Sequence, residues 1–286
     1  MTWRPAPLPA DDEEGIRDNL KSWDAIAHMH AQGSGAEFYR IEQWLAGESK
    51  LALWEIEEMG PVEGKSLLHM QCHIGTDTLS WAHEGAQVTG LDFSPNAIAE
   101  AVRFADILGF DNARFVVSRV SEAVETLEGE QFDIIYTGRG ALCWLPDLKE
   151  WARVCAALLR QGGTLYFEES TPMVNILDSE EGPNGSRLVP KYDLFNEGPI
   201  SEIGEGSYAD PEWPGRGVTH CWEYRYDTII NALIEGGFRI EFLNERDELF
   251  FTPWPEFFDS SRPNYWRLKE GNVSLPLSFT LKATRL

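Results

Sequence analysis

Positive charge is scarce in this sequence. Its 24 lysines and arginines stand against 47 aspartates and glutamates, a net charge of −23. A protein that grips nucleic acid by its phosphates needs a basic stripe, and anionic lipid surfaces select the same sign, so neither a nucleic-acid nor a membrane partner is expected. No apolar run is long enough to cross a bilayer. The opening "MTWRPAPLPADDEEG" lacks the apolar core of an export signal, which predicts a cytoplasmic protein. Cysteine is sparse as well: Cys72, Cys143, Cys155 and Cys221 form no Cys-x-x-Cys pair, which excludes zinc-ribbon and thioredoxin-like spacings. Reduced thiols, packed as small apolar groups, are the expectation.

What the chain does have is a repeated strand–helix alternation. "KSLLHM" reads as a buried strand, "TDTLSWAHEG" as a helix closed by Gly85, and "AQVTGLDF" as the next strand. Ser94 can cap a helix with Pro95 at its first position, with Ile98, Ala101, Val102, Ala105 and Leu108 as its buried stripe. "ARFVVSRV" and "FDIIYTG" follow as strands, the second apolar enough to be buried on both faces. Asp147 caps a helix carrying Leu148, Trp151, Ala152, Cys155 and Leu159 on one face; Gly162-Gly163 is expected to stop it before the strand "TLYFEES". Such alternation predicts an α/β fold, a doubly wound and mostly parallel sheet.

Four segments are expected. Residues 1–60 form an N-terminal helical cap from "NLKSWDAIAHMH" and "AEFYRIEQWLAGESKLALWEIEEMG", the second run ending at Gly60-Pro61. Residues 61–170 form the α/β core. In 171–225 the alternation stops, and a Gly/Pro-rich stretch with many aromatics reads as an inserted lid. Residues 226–286 complete the core with "YDTIINALIEGG", "FRIEFLNE" and a closing strand "LPLSFTLKATR".

In an open parallel sheet, ligands bind at the carboxyl ends of the strands where strand order reverses. The loop after the first strand, "QCHIGTDT", leads straight into a helix N-terminus, which favours an anionic group. Asp92 ends the second strand, well placed to accept hydrogen bonds from a ribose diol. His69, Cys72 and His73 crowd together like metal ligands. His69 belongs to the strand and the other two to the turn, so their side chains diverge and no metal is expected.

At this point the chain resembles the class I S-adenosylmethionine-dependent methyltransferases. "SLLHMQCHIGTDTLSWAHEGAQVTGLDFSPNAI" is similar to their first strand, cofactor loop, second strand and acidic ribose ligand. "FDIIYTGRGALCWLPDLKEWARVCAALLRQGGTLYFEE" is similar to their fourth strand, following helix and fifth strand. "ALIEGGFRIEFLNE" and "SFTLKATR" fit their sixth strand and reversed seventh, which implies a seven-stranded sheet with an antiparallel last strand. The resemblance implies S-adenosylmethionine as cofactor, with Gln71, Cys72, His73 and Gly75 beneath its methionine part. It puts Asp92 on the ribose, Phe93 beside the adenine and Val120 at the adenine edge, with Thr137 and Gly138 near the sulfonium. The sequence departs from the family in having His69 where an acidic residue is usual, Gln71 and His73 where glycines are usual, and Arg119 where an acid often reads the adenine.

Methyl transfer is an in-line displacement, so most of the catalysis can come from positioning, with general-base help for a protonated acceptor. His28 and His220 are the candidate bases, the latter with Glu223 or Tyr224 alongside. Arg139, Trp144 and Tyr224 are candidates to line the acceptor pocket. A small-molecule acceptor fits best, since no "NPPY"-type signature of a base methylase follows the fourth strand. A non-catalytic cofactor-binding protein and a nicotinamide-dependent oxidoreductase are the alternatives. The glycine-poor loop favours the first, and the missing glycine-rich fingerprint counts against the second.

Overall fold

The computed structural model describes residues 2–183, 185–271 and 274–286. Its central sheet has seven strands: β1 (Ser66–Met70), β2 (Gln87–Asp92), β3 (Arg114–Val117), β4 (Phe132–Thr137), β5 (Leu159–Ser170), β6 (Phe238–Arg246) and β7 (Ser278–Arg285). They lie in the order β6-β7-β5-β4-β1-β2-β3. Strands β1 to β5 are mutually parallel, and β7 runs antiparallel to both β5 and β6. This is the α/β arrangement the sequence predicts, with its reversed last strand. The chain winds outward from β1 through β2 to β3 and then returns to β4, so the order reverses between β1 and β4.

Five helices carry most of the packing: α1 (Asp12–Gln32), α2 (Thr76–His83), α3 (Pro95–Leu108), α4 (Leu148–Leu158) and α5 (Tyr226–Glu235). Successive strand residues face opposite sides of a sheet, and here both sides are covered. Leu68, Ile135 and Phe167 pack with Trp151 and Cys155 of α4 and Leu233 of α5. Their neighbours Leu67, Ile134 and Tyr166 pack with Trp81 of α2 and with Met59. Trp151 meets Phe167 edge-on at 5.6 Å with both rings buried. Truncating a core aromatic of this kind to alanine costs ~3–5 kcal/mol.

Capping chemistry sets the helix starts. Ser94 accepts the Ala97 N–H with Pro95 in the first turn, and Asp147 accepts the N–H groups of Lys149 and Glu150. Asp11 caps α1, whose first turn holds Asp12, Glu13 and Glu14 against the positive end of the helix dipole.

Local periodicity misleads in four places. Val102, expected in the buried stripe of α3, is exposed. The buried arc centres on Ala97, Ala101, Phe104 and Ala105, and Val102 lies past its margin. The expected helical run over residues 36–60 breaks into helices Ile41–Leu45 and Leu53–Met59, because Arg40 and Gly47 take left-handed φ values of 46° and 107°. Gly162-Gly163 falls inside β5 instead of ending α4. The chain also forms a strand at Thr2–Pro5 that no periodicity announces.

That first strand pairs with Ile200–Glu205, which pairs in turn with Arg216–Cys221, so the chain start and the 171–225 segment share a three-stranded sheet. The same segment holds a hairpin of Leu177–Gly182 and Gly185–Pro190. Helix α1 packs on Arg216–Cys221. The Asn19 amide donates to the His220 carbonyl and accepts the His220 N–H, each at 2.8 Å, and Ser22 donates to the Val218 carbonyl at 2.7 Å. A second hairpin, Phe258–Arg262 with Tyr265–Leu268, docks on β5 through the Tyr265 hydroxyl, which donates to Glu168 at 2.8 Å.

Candidate active site

After β1 the chain turns through Gln71, Cys72, His73 and Ile74 to Gly75, which opens α2. Gln71 and His73 sit at φ 57° and 48°, left-handed conformations that cost a side-chain-bearing residue ~1–2 kcal/mol each. Gly75 is at φ 75°, and a Cβ there would come within 2.6 Å of the Ala101 Cβ, so conformation and close packing both demand glycine. Backbone bonds hold the turn: Cys72 N–H donates to Leu91 O at 3.0 Å, and His73 N–H donates to Asp92 Oδ2 at 2.9 Å. The other Asp92 oxygen accepts Ser94 N–H at 2.9 Å. Asp92 is 5% exposed. Burial pushes its carboxyl up to about 6, although these N–H groups favour the ionised form.

The turn opens on a cavity of about 450 Å³ at the carboxyl ends of β1, β2 and β4. One wall is aromatic. Trp23 of α1 stands edge-on to His73 at 5.4 Å and to Trp144 at 5.0 Å, and the hydroxyls of Tyr39 and Tyr208 bond each other. A relay of rings links the turn to the 171–225 segment: His73 Nε2 lies 2.9 Å from His30 Nδ1, and His30 Nε2 lies 2.8 Å from Ser207 Oγ. Burial lowers His73 to about 4 and holds His30 well below the ordinary histidine range, so the pair is uncharged near neutrality. His69 turns to Thr78 Oγ1 at 2.7 Å while His73 turns to His30. Desolvation brings His69 down to about 4, and among the described residues its Nε2 has no hydrogen-bond partner.

A buried ionic cluster supports the cavity at Arg139. Its guanidinium donates to the Lys50 carbonyl at 2.7 Å and to Glu55, and contacts Asp77 at 3.3 Å and Glu168 at 3.4 Å. Burial, with Glu55 close by, pushes Glu168 up to about 7. Glu169 accepts the Leu142 N–H at 2.6 Å, which ties the loop after β4 to β5; burial pushes its carboxyl up to about 8.

Gln71, His73, Asp92, Phe93, Val120 and Gly138 all line the cavity. The Gln71 amide donates to the Ala141 carbonyl at 2.9 Å, and its buried Oε1 has no partner among the described residues. Gly75 and Thr137 stand behind the wall. Gly75 shapes the turn, and Thr137 is fully buried in β4. Arg139 and Trp144 line the cavity, though the Arg139 donors are engaged in the ionic cluster. Tyr224 does not line it, because its hydroxyl is turned to the Leu145 carbonyl. Neither candidate base reaches the cavity. The His28 side chain is 71% exposed and pairs with Glu100 at 2.8 Å, on the outer face of α1. His220 is buried against Ser201 Oγ at 2.7 Å, between Arg216–Cys221 and α1.

Several lining residues carried no local signal. Trp23, Tyr39, Tyr208, Asn175 and Phe250 come from the N-terminal part, the 171–225 segment and the C-terminal part of the chain, while the sequence marks Glu223 only as a companion of His220. The aromatic richness of 171–225 pointed to a packed segment, without saying which rings face inward.

A family model described as a methyltransferase domain matches residues 68–165. A ubiquinone biosynthesis O-methyltransferase from Bordetella pertussis is 34% identical over 117 residues, 40% of this chain and 46% of that protein. The enzyme of the same name from Erwinia tasmaniensis is 30% identical over 152 residues, covering 49% and 61%. The chain thus spans about half the length of the curated relatives it matches. A putative S-adenosylmethionine-dependent methyltransferase from Listeria monocytogenes superposes with TM-score 0.60 at 18% identity, over 82% of this chain and 97% of that one. One from Mesorhizobium loti superposes with TM-score 0.59 at 24% identity, over 84% and 100%.

Proposed function

We propose, on the premise that residues 68–165 are a class I S-adenosylmethionine-dependent methyltransferase domain, that this chain binds S-adenosylmethionine and methylates a small molecule held in the same cavity. The observation that carries this reading is Asp92, a buried carboxyl at the carboxyl end of β2, beside the reversal of strand order, bonded to the amide of the turn that precedes α2.

The residues present fit such a cofactor. Each Asp92 oxygen keeps a lone pair after accepting its backbone N–H, so the carboxylate can take the two hydroxyls of a ribose. Gln71 Oε1, buried and without a partner among the described residues, is an acceptor to offer an amino group. Phe93 and Val120 supply an apolar slot next to Asp92 for a flat base. When bound, S-adenosylmethionine supplies an electrophilic methyl group on sulfur. The chain's own task is to orient the acceptor and exclude water. Trp23, Trp144, Tyr208 and Phe250 do this by walling the cavity from α1, the loop after β4, the 171–225 segment and the C-terminal part.

The curated relatives are O-methyltransferases, and the family model covers residues 68–165. Most of the acceptor wall lies outside residues 68–165, so the acceptor is read from this chain's own residues, as a small molecule with a hydroxyl or amino nucleophile. The glycine-poor turn does not favour a non-catalytic protein, because Gln71 and His73 take the left-handed φ values that glycines would supply.

Calorimetry with S-adenosylhomocysteine tests the reading. Saturable binding at micromolar concentration is expected; no heat up to about 1 mM, ~4 kcal/mol of binding free energy, would sink it.

A further inference from the structure

We infer that the acceptor is a protonated amine on an apolar body, and that Glu223 is the side chain that pairs with it. This rests on the reading above only in taking the cavity as the acceptor site.

Glu223 lines the cavity just past the Arg216–Cys221 strand. Its Oε2 accepts the Asn175 amide at 2.6 Å; among the described residues its Oε1 has no hydrogen bond, and no lysine, arginine or histidine forms an ion pair with it. Glu223 itself is half-buried, and the fully buried acids of the site each hold donors of the protein. Asp92 holds two backbone N–H groups, Glu169 holds the Leu142 N–H, Glu168 holds the Tyr265 hydroxyl, and Glu55 holds Arg139. A carboxyl withdrawn from water is normally matched by a cation or by several donors. Glu223 has one amide, from Asn175, and lines the cavity.

Among the described residues, the groups that face it supply no positive charge. Cys143 sits alongside Cys221, with the Trp222 N–H donating to the Cys143 carbonyl at 2.8 Å; hydrogen bonding to Cys221 and burial hold the Cys143 thiol protonated. Glu169 and Tyr224 also face Glu223 and are pushed up by burial, Glu169 to about 8. The nearest guanidinium in sequence, Arg225, is turned outward to Asp227 at 2.9 Å. The missing cation therefore has to come with the ligand. Trp144 and Phe250 both border Gly140 in the same cavity and give that ligand an apolar wall.

Burial holds the Glu223 carboxyl up at about 7. It therefore accepts a proton more readily than an ordinary carboxylate. The balance is simple: the ammonium gives one proton to the Glu223 carboxylate, leaving a neutral carboxylic acid and a neutral amine with the lone pair that attack requires.

The test uses matched pairs that differ only in the end group: tryptamine against tryptophol, and phenethylamine against 2-phenylethanol. Binding is measured by NMR titration on the full chain, with and without S-adenosylhomocysteine. At pH 8 the amine of each pair should bind at least about tenfold more tightly than its alcohol. The margin should shrink as pH falls through 7 and the carboxyl is protonated, and it should vanish in Glu223→Gln. Alcohols binding as well as amines, a margin that survives Glu223→Gln, or no amine binding up to about 10 mM would each overturn the inference. Failure of S-adenosylhomocysteine to bind the parent protein would instead overturn the methyltransferase reading, and the amine margin in its absence would still decide this one.

Discussion

Replacing Asp92 by asparagine changes charge with almost no change in volume. The native carboxylate accepts His73 N–H and Ser94 N–H, each at 2.9 Å. An amide keeps one acceptor oxygen and turns its NH2 toward the other donor, leaving a buried N–H unpaired at ~1–3 kcal/mol. Against this stands the cost of the charge itself. Burial moves the group from 3.8 to about 6. About two pK units at ~1.4 kcal/mol each make ionised Asp92 cost the fold ~3 kcal/mol at pH 8. The two effects nearly cancel, so Asp92→Asn should be within ~2 kcal/mol of the parent at that pH. The folded state binds this proton more tightly than the unfolded chain. The contribution to stability is therefore full below about pH 4 and is lost as pH rises through about 6. From pH 5 to pH 8 the parent should lose ~1.4 kcal/mol more than the variant, read by urea unfolding at both values. S-adenosylhomocysteine affinity at pH 8 should fall at least about tenfold, since the ribose hydroxyls lose a charged acceptor. A well-folded Asp92→Asn protein with parental affinity would refute the ribose assignment. A pH-independent stability difference would refute the burial account.

Gly75→Ala should lose ~2–5 kcal/mol in urea unfolding, from left-handed strain plus the clash with Ala101; a loss under ~1 kcal/mol would mean the turn relaxes freely. Arg139→Ala leaves Glu55 and Glu168 buried without their cation and should cost ~3–5 kcal/mol, visible as a drop in Tm of roughly 10 °C; an unchanged Tm would show that the cluster is neutral. His28→Ala removes only an exposed pairing with Glu100, so stability should stay within ~1 kcal/mol and S-adenosylhomocysteine affinity should not move; a large loss of affinity would bring His28 back to the site.

Where structure follows from neighbours in the chain, it was legible beforehand. Strands β1 to β5 announce themselves by apolar runs, Ser94 and Asp147 by capping chemistry, and Asp92 by its place at the end of β2. The left-handed φ of Gln71 and His73 was not legible, since neither residue favours it. It is imposed by the tie of Cys72 to Leu91 and of His73 to Asp92. The acceptor wall was hidden for a related reason. Trp23, Tyr208, Asn175 and Glu223 come together only once α1 docks on Arg216–Cys221 through Asn19 and His220, 201 positions apart. The same docking buries His220 away from the cavity, and the pairing of His28 with Glu100 keeps that ring at the surface. Sequence by itself thus determined the sheet, its order of elements and the acid at its carboxyl edge, because period and caps act within a turn or two. Which side chains face the cavity was decided by tertiary contacts, because a side chain's direction there depends on partners that lie far away in the chain.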